Sequence, residues 1–221
     1  MSYLFPDKCG FCGKVVEPGK NVCKDCLSGL SVVSANACTR CGADVEYCNC
    51  KVGDFAYTRN ISFFHYEGPA LMAVIRMKYH SSPQLAGFMA DFMVNQILDK
   101  YNNFTFDFVT FVPSFRLKYA KRGYNTAGLL AEKIASALNL PLKTVLKKKF
   151  SLKAQKYQKK SMRRKNVRNK FEAICDLKGM RVLLIDDIVT TGSTMSECAK
   201  TMKKAGAKEV LCSTFAITLK K

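Results

Sequence analysis

The sequence predicts an α/β protein, with a parallel sheet flanked by helices and a small cysteine-rich module in front of it. Three observations favour this class. Apolar runs that suit buried strands alternate along the chain with segments of helical spacing. The loop after the apolar run Leu183-Leu184-Ile185 has the composition of a phosphate cradle. Eight of the 11 cysteines form closely spaced pairs before residue 51.

The elements follow one another in a regular order. We predict strands over residues 61–65, 107–113, 144–146, 180–185 and 209–217, and helices over 71–77, 85–101, 126–138 and 194–205. In a parallel sheet, ligands bind at the carboxyl ends of the strands. The loops after Val112 and Ile185 both leave such ends. His65 and His80 stand apart from any acid of matching spacing, and we expect them to be structural.

The length and composition fit one domain with a small appendage. The chain has 221 residues, 48% of them hydrophobic, which provides enough apolar surface for a core. No long apolar run and no signal peptide are present, so we expect a cytoplasmic protein without a transmembrane segment, with peripheral attachment to the inner membrane as the alternative. We place the module at residues 1–54 and the α/β domain at 55–221.

The paired cysteines have the spacing of zinc knuckles. Four thiolates close a tetrahedral structural Zn²⁺ site, and a reducing compartment favours metal over disulfides. We predict a double zinc ribbon with one or two structural ions; reactive or redox cysteines are the alternative. The spacing leaves open which knuckles share an ion. The predicted ligands are Cys9, Cys12, Cys23, Cys26, Cys38, Cys41, Cys48 and Cys50.

The rest of the module and the remaining cysteines carry less chemistry. Residues 1–54 hold six Lys or Arg and six Asp or Glu, so two filled Zn(Cys)₄ sites make the module negative. The module therefore suits a structural or docking role better than binding to nucleic-acid phosphates. Cys175, Cys198 and Cys212 lie in apolar contexts, where we expect small buried side chains.

The net charge of +19 is concentrated in one segment. Residues 116–170 carry 18 Lys and Arg against the single acid Glu132. A field this concentrated implies a polyanionic partner, and nucleic acid fits better than a membrane surface.

The loop after residue 185 indicates a ribose-phosphate site. Two acids end the apolar run, and a glycine among hydroxyl residues then leads into a helix. A helix N-terminus attracts anions, hydroxyls donate hydrogen bonds to phosphate, and the acids can accept from sugar hydroxyls or hold a hydrated Mg²⁺. An ordinary strand–turn–helix is the alternative. The candidate residues are Asp186, Asp187, Thr190, Thr191, Gly192, Ser193 and Thr194.

This order, Asp-Asp-x-x-Thr-Thr-Gly-x-Thr, resembles the fingerprint of type I phosphoribosyltransferases, which bind phosphoribosyl pyrophosphate (PRPP). The resemblance implies that the two acids face the ribose hydroxyls, that the loop wraps the 5′-phosphate, and that Mg²⁺ accompanies PRPP. Arg116, Lys121 and Arg122, on the loop after the 107–113 strand, are candidates for the pyrophosphate; contacts with nucleic-acid phosphates are the alternative.

Over nearly the whole chain the sequence resembles the ComF family of competence proteins, in which a double zinc ribbon precedes a phosphoribosyltransferase-like domain. The supporting residues are Val112-Pro113, Arg122-Gly123-Tyr124-Asn125, Gln155, Arg164, Asn166, Phe171 and the Asp-Asp loop. Ser114-Phe115 and Thr126 depart from the family pattern. The resemblance implies a role in natural transformation, with single-stranded DNA and other DNA-uptake or helicase proteins as partners.

The basic loop at residues 147–170 has the composition of a single-strand binding surface. It contains no acid, and aromatic residues lie among its cations; such a mixture tracks phosphates and stacks on bases. A solvated loop, or the loop that type I enzymes close over PRPP, are the alternatives. The nucleic-acid candidates are Lys147, Lys148, Lys149, Phe150, Lys153, Lys156, Tyr157, Lys159, Lys160, Arg163 and Arg164.

Three functions fit these features. The first is a DNA-handling protein that keeps a PRPP-type site. The second is an active phosphoribosyltransferase that transfers ribose 5-phosphate to an unknown amine or base and releases pyrophosphate. The third is a zinc-dependent scaffold with a vestigial site, which the intact loop disfavours. The sequence offers no recognisable acceptor pocket.

Overall fold

The structure is a computed structural model that describes residues 6–48, 50, 55–114, 122–149 and 169–219. Within these residues, five helices and six strands have defined bounds, together with a short 3₁₀ turn at Val45–Tyr47. The helices are α1 (Lys24–Ser28), α2 (Gly68–Tyr79), α3 (Leu85–Lys100), α4 (Thr126–Ala137) and α5 (Ser193–Lys204). The strands are β1 (Arg59–His65), β2 (Phe108–Phe111), β3 (Leu146–Lys148), β4 (Phe171–Ala173), β5 (Arg181–Val189) and β6 (Glu209–Ile217).

A four-stranded parallel sheet in the order β1-β6-β5-β2 forms the centre of the molecule and confirms the predicted α/β class. Strand β6 is buried along almost its whole length, as expected when helices cover both faces of a sheet. At the end of β2, the Val112 N–H donates to the Ile185 carbonyl at 3.0 Å. The loops that follow β2 and β5 therefore leave the same edge side by side.

Strand β5 runs further than the sequence indicated. We predicted its end at Ile185, with both acids on the loop, but its pairing with β6 continues to Val189. Asp186 and Asp187 therefore lie within the strand, where successive side chains point to opposite faces. Their neighbours show the same alternation. Leu183 and Ile185 belong to the core on one face, whereas Leu184 belongs to the core on the other.

A separate two-stranded antiparallel sheet pairs β3 with β4. The strand expected at 144–146 lies at 146–148 instead, and β4 was not predicted. A three-residue strand has no periodicity of its own, and its partner lies more than twenty positions away across the basic loop. The described ends of that loop are tied by the Lys149 N–H, which donates to the Lys170 carbonyl at 2.8 Å.

The cysteine module is packed into the main core. Phe11 is fully buried, and its ring lies 5.0 Å from that of Phe88 and 5.8 Å from that of Phe64. The Arg76 guanidinium on α2 donates to the carbonyls of Cys9, Gly10 and Phe11 at 2.9–3.3 Å. The module therefore derives part of its order from the α/β domain.

A histidine joins the module to β1. His65 is buried, with Nε2 2.9 Å from the Asp44 carboxylate and Nδ1 2.8 Å from the Ser31 hydroxyl. This contact fits the structural role expected for His65.

Cys198 and Cys212 are buried as expected, but Cys175 is exposed. Cys175 follows the short strand β4 in a surface connection, where its apolar neighbour Ile174 is exposed as well.

No helix in the described parts of the chain is both long and apolar enough to cross a membrane.

Candidate ribose-phosphate site and metal clusters

The predicted phosphate cradle lies at the start of α5. Gly192 is its N-cap and has φ of 70°, the left-handed conformation that glycine adopts at little cost. The Thr191 and Ser193 hydroxyls lie 2.8 Å apart across this turn. The first backbone N–H groups of α5 and these hydroxyls can donate to an anion, and the helix dipole favours negative charge there. Thr190 is exposed, and Thr194 is half-buried.

Asp187 is held by two other elements. Its Oδ1 lies 2.6 Å from the Lys78 ammonium on α2, and its Oδ2 accepts from the Thr126 hydroxyl on α4. The Asp187 side chain is 8% exposed and that of Lys78 is 18% exposed, so this is a largely buried, charge-assisted pair. Neither Lys78 nor Thr126 was among the residues predicted for the site.

Asp186 occupies a different environment. Its Oδ1 accepts from the Asp187 backbone N–H at 2.9 Å. Burial, and next the neighbouring Asp187 carboxylate, raise the pKa of Asp186 to about 8, while the positive charges of Lys78 and Lys148 act in the opposite direction. Near neutral pH this carboxyl keeps its proton much of the time, so it can both donate to and accept from a sugar hydroxyl.

The loop that enters α4 completes the described edge of the site. The Asn125 amide donates to the Val112 carbonyl at 3.0 Å, and the same side chain caps α4 by accepting from the Ala127 N–H. The Tyr124 hydroxyl donates to the Met77 carbonyl at 2.6 Å. Arg122 lies over the ring of Tyr79, next to Lys78, at 4.9 Å from the ring centre. Arg116 and Lys121 lie outside the described residues.

The chain directly after the cysteine module covers the predicted phosphate cradle. The rings of Phe55 and Tyr57 stack at 4.8 Å, and a Cβ built on Gly192 would come within 2.6 Å of Phe55 and 2.8 Å of the Tyr57 hydroxyl. The Ala56 N–H donates to Ser196 Oγ on α5 at 3.0 Å. A cavity of about 20 Å³ lies between these rings and the loop, room for a single water. It is too small to take a nucleobase.

The eight paired cysteines converge as two separate clusters. The Sγ atoms of Cys9, Cys12, Cys23 and Cys26 lie within 4.8 Å of one another, as do those of Cys38, Cys41, Cys48 and Cys50. Neighbouring sulfur atoms within a cluster are 3.2–3.7 Å apart. This spacing fits four thiolates around one Zn²⁺. Knuckles consecutive in sequence therefore share a cluster, a pairing that the sequence left open.

One thiol of each cluster is arranged to ionise, whereas burial and the neighbouring thiols raise the pKa of Cys12, Cys26, Cys41 and Cys50. Burial disfavours the Cys9 thiolate, but backbone N–H groups of Cys12, Cys23 and Phe11 outweigh it and lower the pKa of Cys9 to about 6. In the second cluster, the N–H groups of Cys41 and Arg40 likewise overcome burial and lower the pKa of Cys38 to about 7. A metal-bound thiolate is stabilised by hydrogen-bond donors directed at its sulfur atom.

The described end of the basic loop lies against the helix that begins at the phosphate cradle. Lys147 pairs with Glu172 across the β3–β4 stem at 3.5 Å, and Lys148 lies 5.3 Å from the ring centre of Phe171. The Asn169 N–H donates to Glu197 on α5 at 2.7 Å. A groove of about 290 Å³ lies between the stem and α5. Its charged lining residues are Lys149, Lys200, Lys204, Glu172 and Glu197. The candidates Phe150, Lys153, Lys156, Tyr157, Lys159, Lys160, Arg163 and Arg164 lie outside the described residues.

Comparison with known proteins gives the class of both parts of the chain. Residues 1–54 match the family model of the double zinc ribbon domain, and residues 124–220 match that of the phosphoribosyl transferase domain. The chain thus joins a double zinc ribbon to a phosphoribosyltransferase-type α/β domain, as predicted.

Whole-chain relatives extend this assignment and confirm the resemblance to the ComF family. Competence protein F of Haemophilus influenzae is 26% identical over 95% of this chain and 96% of its own length. The DNA utilization protein YhgH of Salmonella typhimurium is 24% identical over 94% of this chain and 90% of its own. Competence protein ComFC of Bacillus subtilis is 27% identical over 87% and 82%, respectively.

The sequence analysis missed four residues at this site, because their contacts are with elements distant in sequence. They are Lys78, Thr126, Phe55 and Tyr57. Lys78 is one of two cations in the last turn of α2, where the helix dipole alone explains a lysine. The weak signal at Thr126 was its departure from the ComF pattern.

Proposed function

We propose that this protein handles single-stranded DNA in the cytoplasm during DNA uptake, and that it carries a binding site for PRPP or a related ribose phosphate. The observation that carries this proposal is the arrangement around α5. The phosphate cradle forms the N-terminus of this helix, and the stem of the basic loop packs along its side. The names of the whole-chain relatives support the DNA side of the proposal.

Ribose-phosphate binding is supported by the groups that meet at the carboxyl edge of the sheet. In this proposal Thr190, Thr191, Gly192, Ser193 and Thr194 hold the 5′-phosphate, and the Asp186–Asp187 end of β5 faces the sugar. Mg²⁺ enters with the pyrophosphate, for which Arg122 is the described candidate and Arg116 and Lys121 are further ones.

DNA binding is supported by charge. The basic loop carries the cations and aromatics of a single-strand surface. Three lysines, Lys149, Lys200 and Lys204, outnumber the two acids, Glu172 and Glu197, in the lining of the groove beside α5. Because the β3–β4 stem and the phosphate cradle both contact α5, we expect a ligand bound at the cradle to change the affinity of the protein for DNA. A peripheral site at the inner membrane and contacts with other DNA-uptake or helicase proteins fit the same role.

The direct test is a titration of labelled single-stranded DNA with purified protein at several salt concentrations, with and without Mg²⁺–PRPP. We expect tight, steeply salt-dependent binding that shifts when PRPP is added. Binding no stronger than that of a generic basic protein would contradict the DNA role.

A charge-reversal pair sharpens this test. Lys147→Glu with Lys149→Glu should lower the slope of log K against log salt by about 0.7 for each lost phosphate contact. Lys20→Glu with Lys24→Glu, at exposed positions of the cysteine module, makes the same charge change away from the basic loop and should leave the slope unchanged. Equal slopes for the two variants would remove the basic loop from the interface.

Active phosphoribosyl transfer is the alternative, and the complete phosphate cradle favours it. Transfer would need the protein to position the 5′-phosphate and neutralise the leaving pyrophosphate while an amine or base attacks the sugar carbon. Pyrophosphate release from PRPP, measured with a panel of amines and bases, separates the two functions. Release that depends on one acceptor and is lost in Asp186→Ala with Asp187→Ala would establish an enzyme.

A further inference from the structure

We propose that Tyr79 and Arg122 form a stacking platform for a nucleobase beside the candidate ribose-phosphate site. The base belongs either to a nucleotide whose phosphate occupies the cradle or to a strand of single-stranded DNA. This inference rests on the proposed function and adds to it the group that recognises the base. The sequence offered no pocket for a base, and the cavity of about 20 Å³ over Gly192 is too small for one.

The first support is the exposure of Tyr79, the last residue of α2. Tyr79 is 69% exposed, whereas Tyr47, the only other exposed aromatic residue in the described parts of the chain, is 37% exposed. Single exposed apolar residues are common on protein surfaces. The groups around this ring distinguish it from such residues.

The second support is the position of Arg122. Its guanidinium lies 4.9 Å from the centre of the Tyr79 ring. The nearby Tyr124 hydroxyl holds this turn of the chain against α2 by donating to the Met77 carbonyl at 2.6 Å. That carbonyl belongs to the last turn of α2, where carbonyls lack partners within the helix.

The chemistry of the pair suits a nucleobase. Aromatic rings and guanidinium groups both present planar faces on which bases stack, and the positive charge favours a nucleotide or a nucleic-acid strand. The N–H groups of Arg122 lie in the plane of its guanidinium, so stacking leaves them free to donate to phosphate oxygens. Arg122 can therefore serve the pyrophosphate and the base together.

The third support is the location of the platform. Tyr79 follows Lys78, whose ammonium lies 2.6 Å from the Asp187 carboxylate at the end of β5. A second tyrosine, Tyr66, lies at the end of β1, where its N–H donates to the Ile217 carbonyl at 2.7 Å. Burial raises the pKa of Tyr66, and the charges of Lys78 and Asp187 also act on it. Tyr79 thus stands at the carboxyl edge of the sheet, where the sugar of the proposed ligand would lie.

The chain contains no tryptophan, which allows a direct probe of the platform. Tyr79→Trp keeps an aromatic face there and introduces a single tryptophan, whose fluorescence a stacked base quenches. Leu98→Trp, at an exposed position of α3, is the control. Each full-length, zinc-loaded variant is titrated with two matched pairs of ligands. One pair is AMP and ribose 5-phosphate, and the other is an oligodeoxythymidine and an abasic oligonucleotide of equal length.

We expect at least one base-containing ligand to quench Tyr79→Trp to saturation, and its base-free counterpart to cause no quenching. Quenching by AMP assigns the base to a nucleotide held at the cradle, and quenching by the oligodeoxythymidine assigns it to DNA. Leu98→Trp should show neither response. Equal quenching of the two variants, or equal quenching by both members of each pair, would overturn the platform.

Removal of the ring provides a second measurement, by calorimetric titration with the same ligands after a thermal melt has verified folding. Tyr79→Ala should lose about tenfold in the ratio of affinities for the base-containing and base-free ligands, and Tyr79→Phe should retain the ratio because the ring face carries the stacking. If Tyr79→Ala weakens both members of a pair equally, Tyr79 acts only by holding Arg122 at the phosphates, and the platform is wrong although the site stands. A wild-type protein that binds neither PRPP nor DNA overturns the proposed function, and this inference with it.

Discussion

Among single residues, Gly192 is closely enclosed by the aromatic residues that cover the predicted phosphate cradle. Its φ is positive, and a side chain there would meet the Phe55 ring and the Tyr57 hydroxyl at less than 3 Å. Gly179 offers a matched control, because its φ is also positive but nothing lies within 4 Å of the position that a Cβ would occupy.

Alanine substitution at the two glycines should therefore separate backbone strain from steric conflict. Gly179→Ala should lose about 1–2 kcal/mol of the free energy of unfolding from the left-handed conformation alone. Gly192→Ala should lose about 1–3 kcal/mol more, because the aromatic cover must shift, and it should also lose PRPP binding. Urea unfolding and ligand titration of both variants test this. Equal losses of stability in the two variants would mean that Phe55 and Tyr57 do not pack closely against Gly192.

Asp186 should give the protein a distinctive dependence of stability on pH. Its pKa is raised to about 8 in the folded protein, whereas a carboxyl in the unfolded chain ionises near pH 4. Between these values the folded state holds more protons, so the free energy of unfolding falls as pH rises, by up to about 1.4 kcal/mol per pH unit. Asp186→Asn should remove this contribution. The test compares urea unfolding of the two proteins between about pH 5 and pH 8, and parallel curves would show that Asp186 is ionised throughout.

Among the elements, α2 connects the first cysteine cluster to the candidate ribose-phosphate site. Arg76 and Lys78 are two positions apart, so they project toward nearly opposite sides of the helix. Arg76 binds three carbonyls of the module, and Lys78 binds Asp187. A change in how the first cluster packs on α2 would thus be transmitted through this helix to Asp186 and Asp187.

Removing the Arg76 side chain should loosen the module from α2. Arg76→Ala leaves carbonyls of Cys9, Gly10 and Phe11 without their donor, and we expect a loss of about 2 kcal/mol or more in the free energy of unfolding. Zinc should also leave the first cluster faster in a chelator assay. Lys14→Ala is the control, because its pair with Asp25 is exposed and should contribute nothing measurable. Identical behaviour of the two variants would contradict this role of Arg76.

On the scale of the whole molecule, the two metal clusters have different neighbours. The first packs on α2 and α3 through Phe11, whereas the chain leaving the second reaches the phosphate cradle through Phe55 and Tyr57. The Asn60 amide donates to the Cys41 carbonyl at 3.0 Å and ties the second cluster to β1 as well. Loss of metal should therefore have different consequences at the two sites.

We expect two zinc ions per chain by elemental analysis and coupling of the second to ligand binding. Cys48→Ser with Cys50→Ser should reduce the zinc content by one and weaken PRPP binding, because the cover over Gly192 loses its anchor. Cys12→Ser with Cys23→Ser should also remove one ion, with a smaller effect on PRPP affinity. A second-cluster variant that binds PRPP like the wild type would separate the zinc ribbon from the site.

The sequence by itself determined the parts of this protein that depend on local pattern. Knuckle spacing predicted the cysteines that form the two clusters, and an apolar run followed by acids, hydroxyls and a glycine predicted strand β5 and helix α5. The charge of the basic loop was likewise visible, because composition needs no partner. These features could be predicted since each lies within a few consecutive residues.

The tertiary structure alone decided which distant residues meet. The full length of β5 depends on its pairing with β6, and β4 exists only as the partner of β3. Lys78 reaches Asp187 across 109 positions, and Tyr57, just after the zinc module, approaches Gly192. Such contacts leave no periodic trace in the sequence, because a buried ion pair or a ring over a glycine requires one residue from each element. The surroundings of Asp186 and Asp187 therefore differ through packing, although the two acids are adjacent and alike in the sequence.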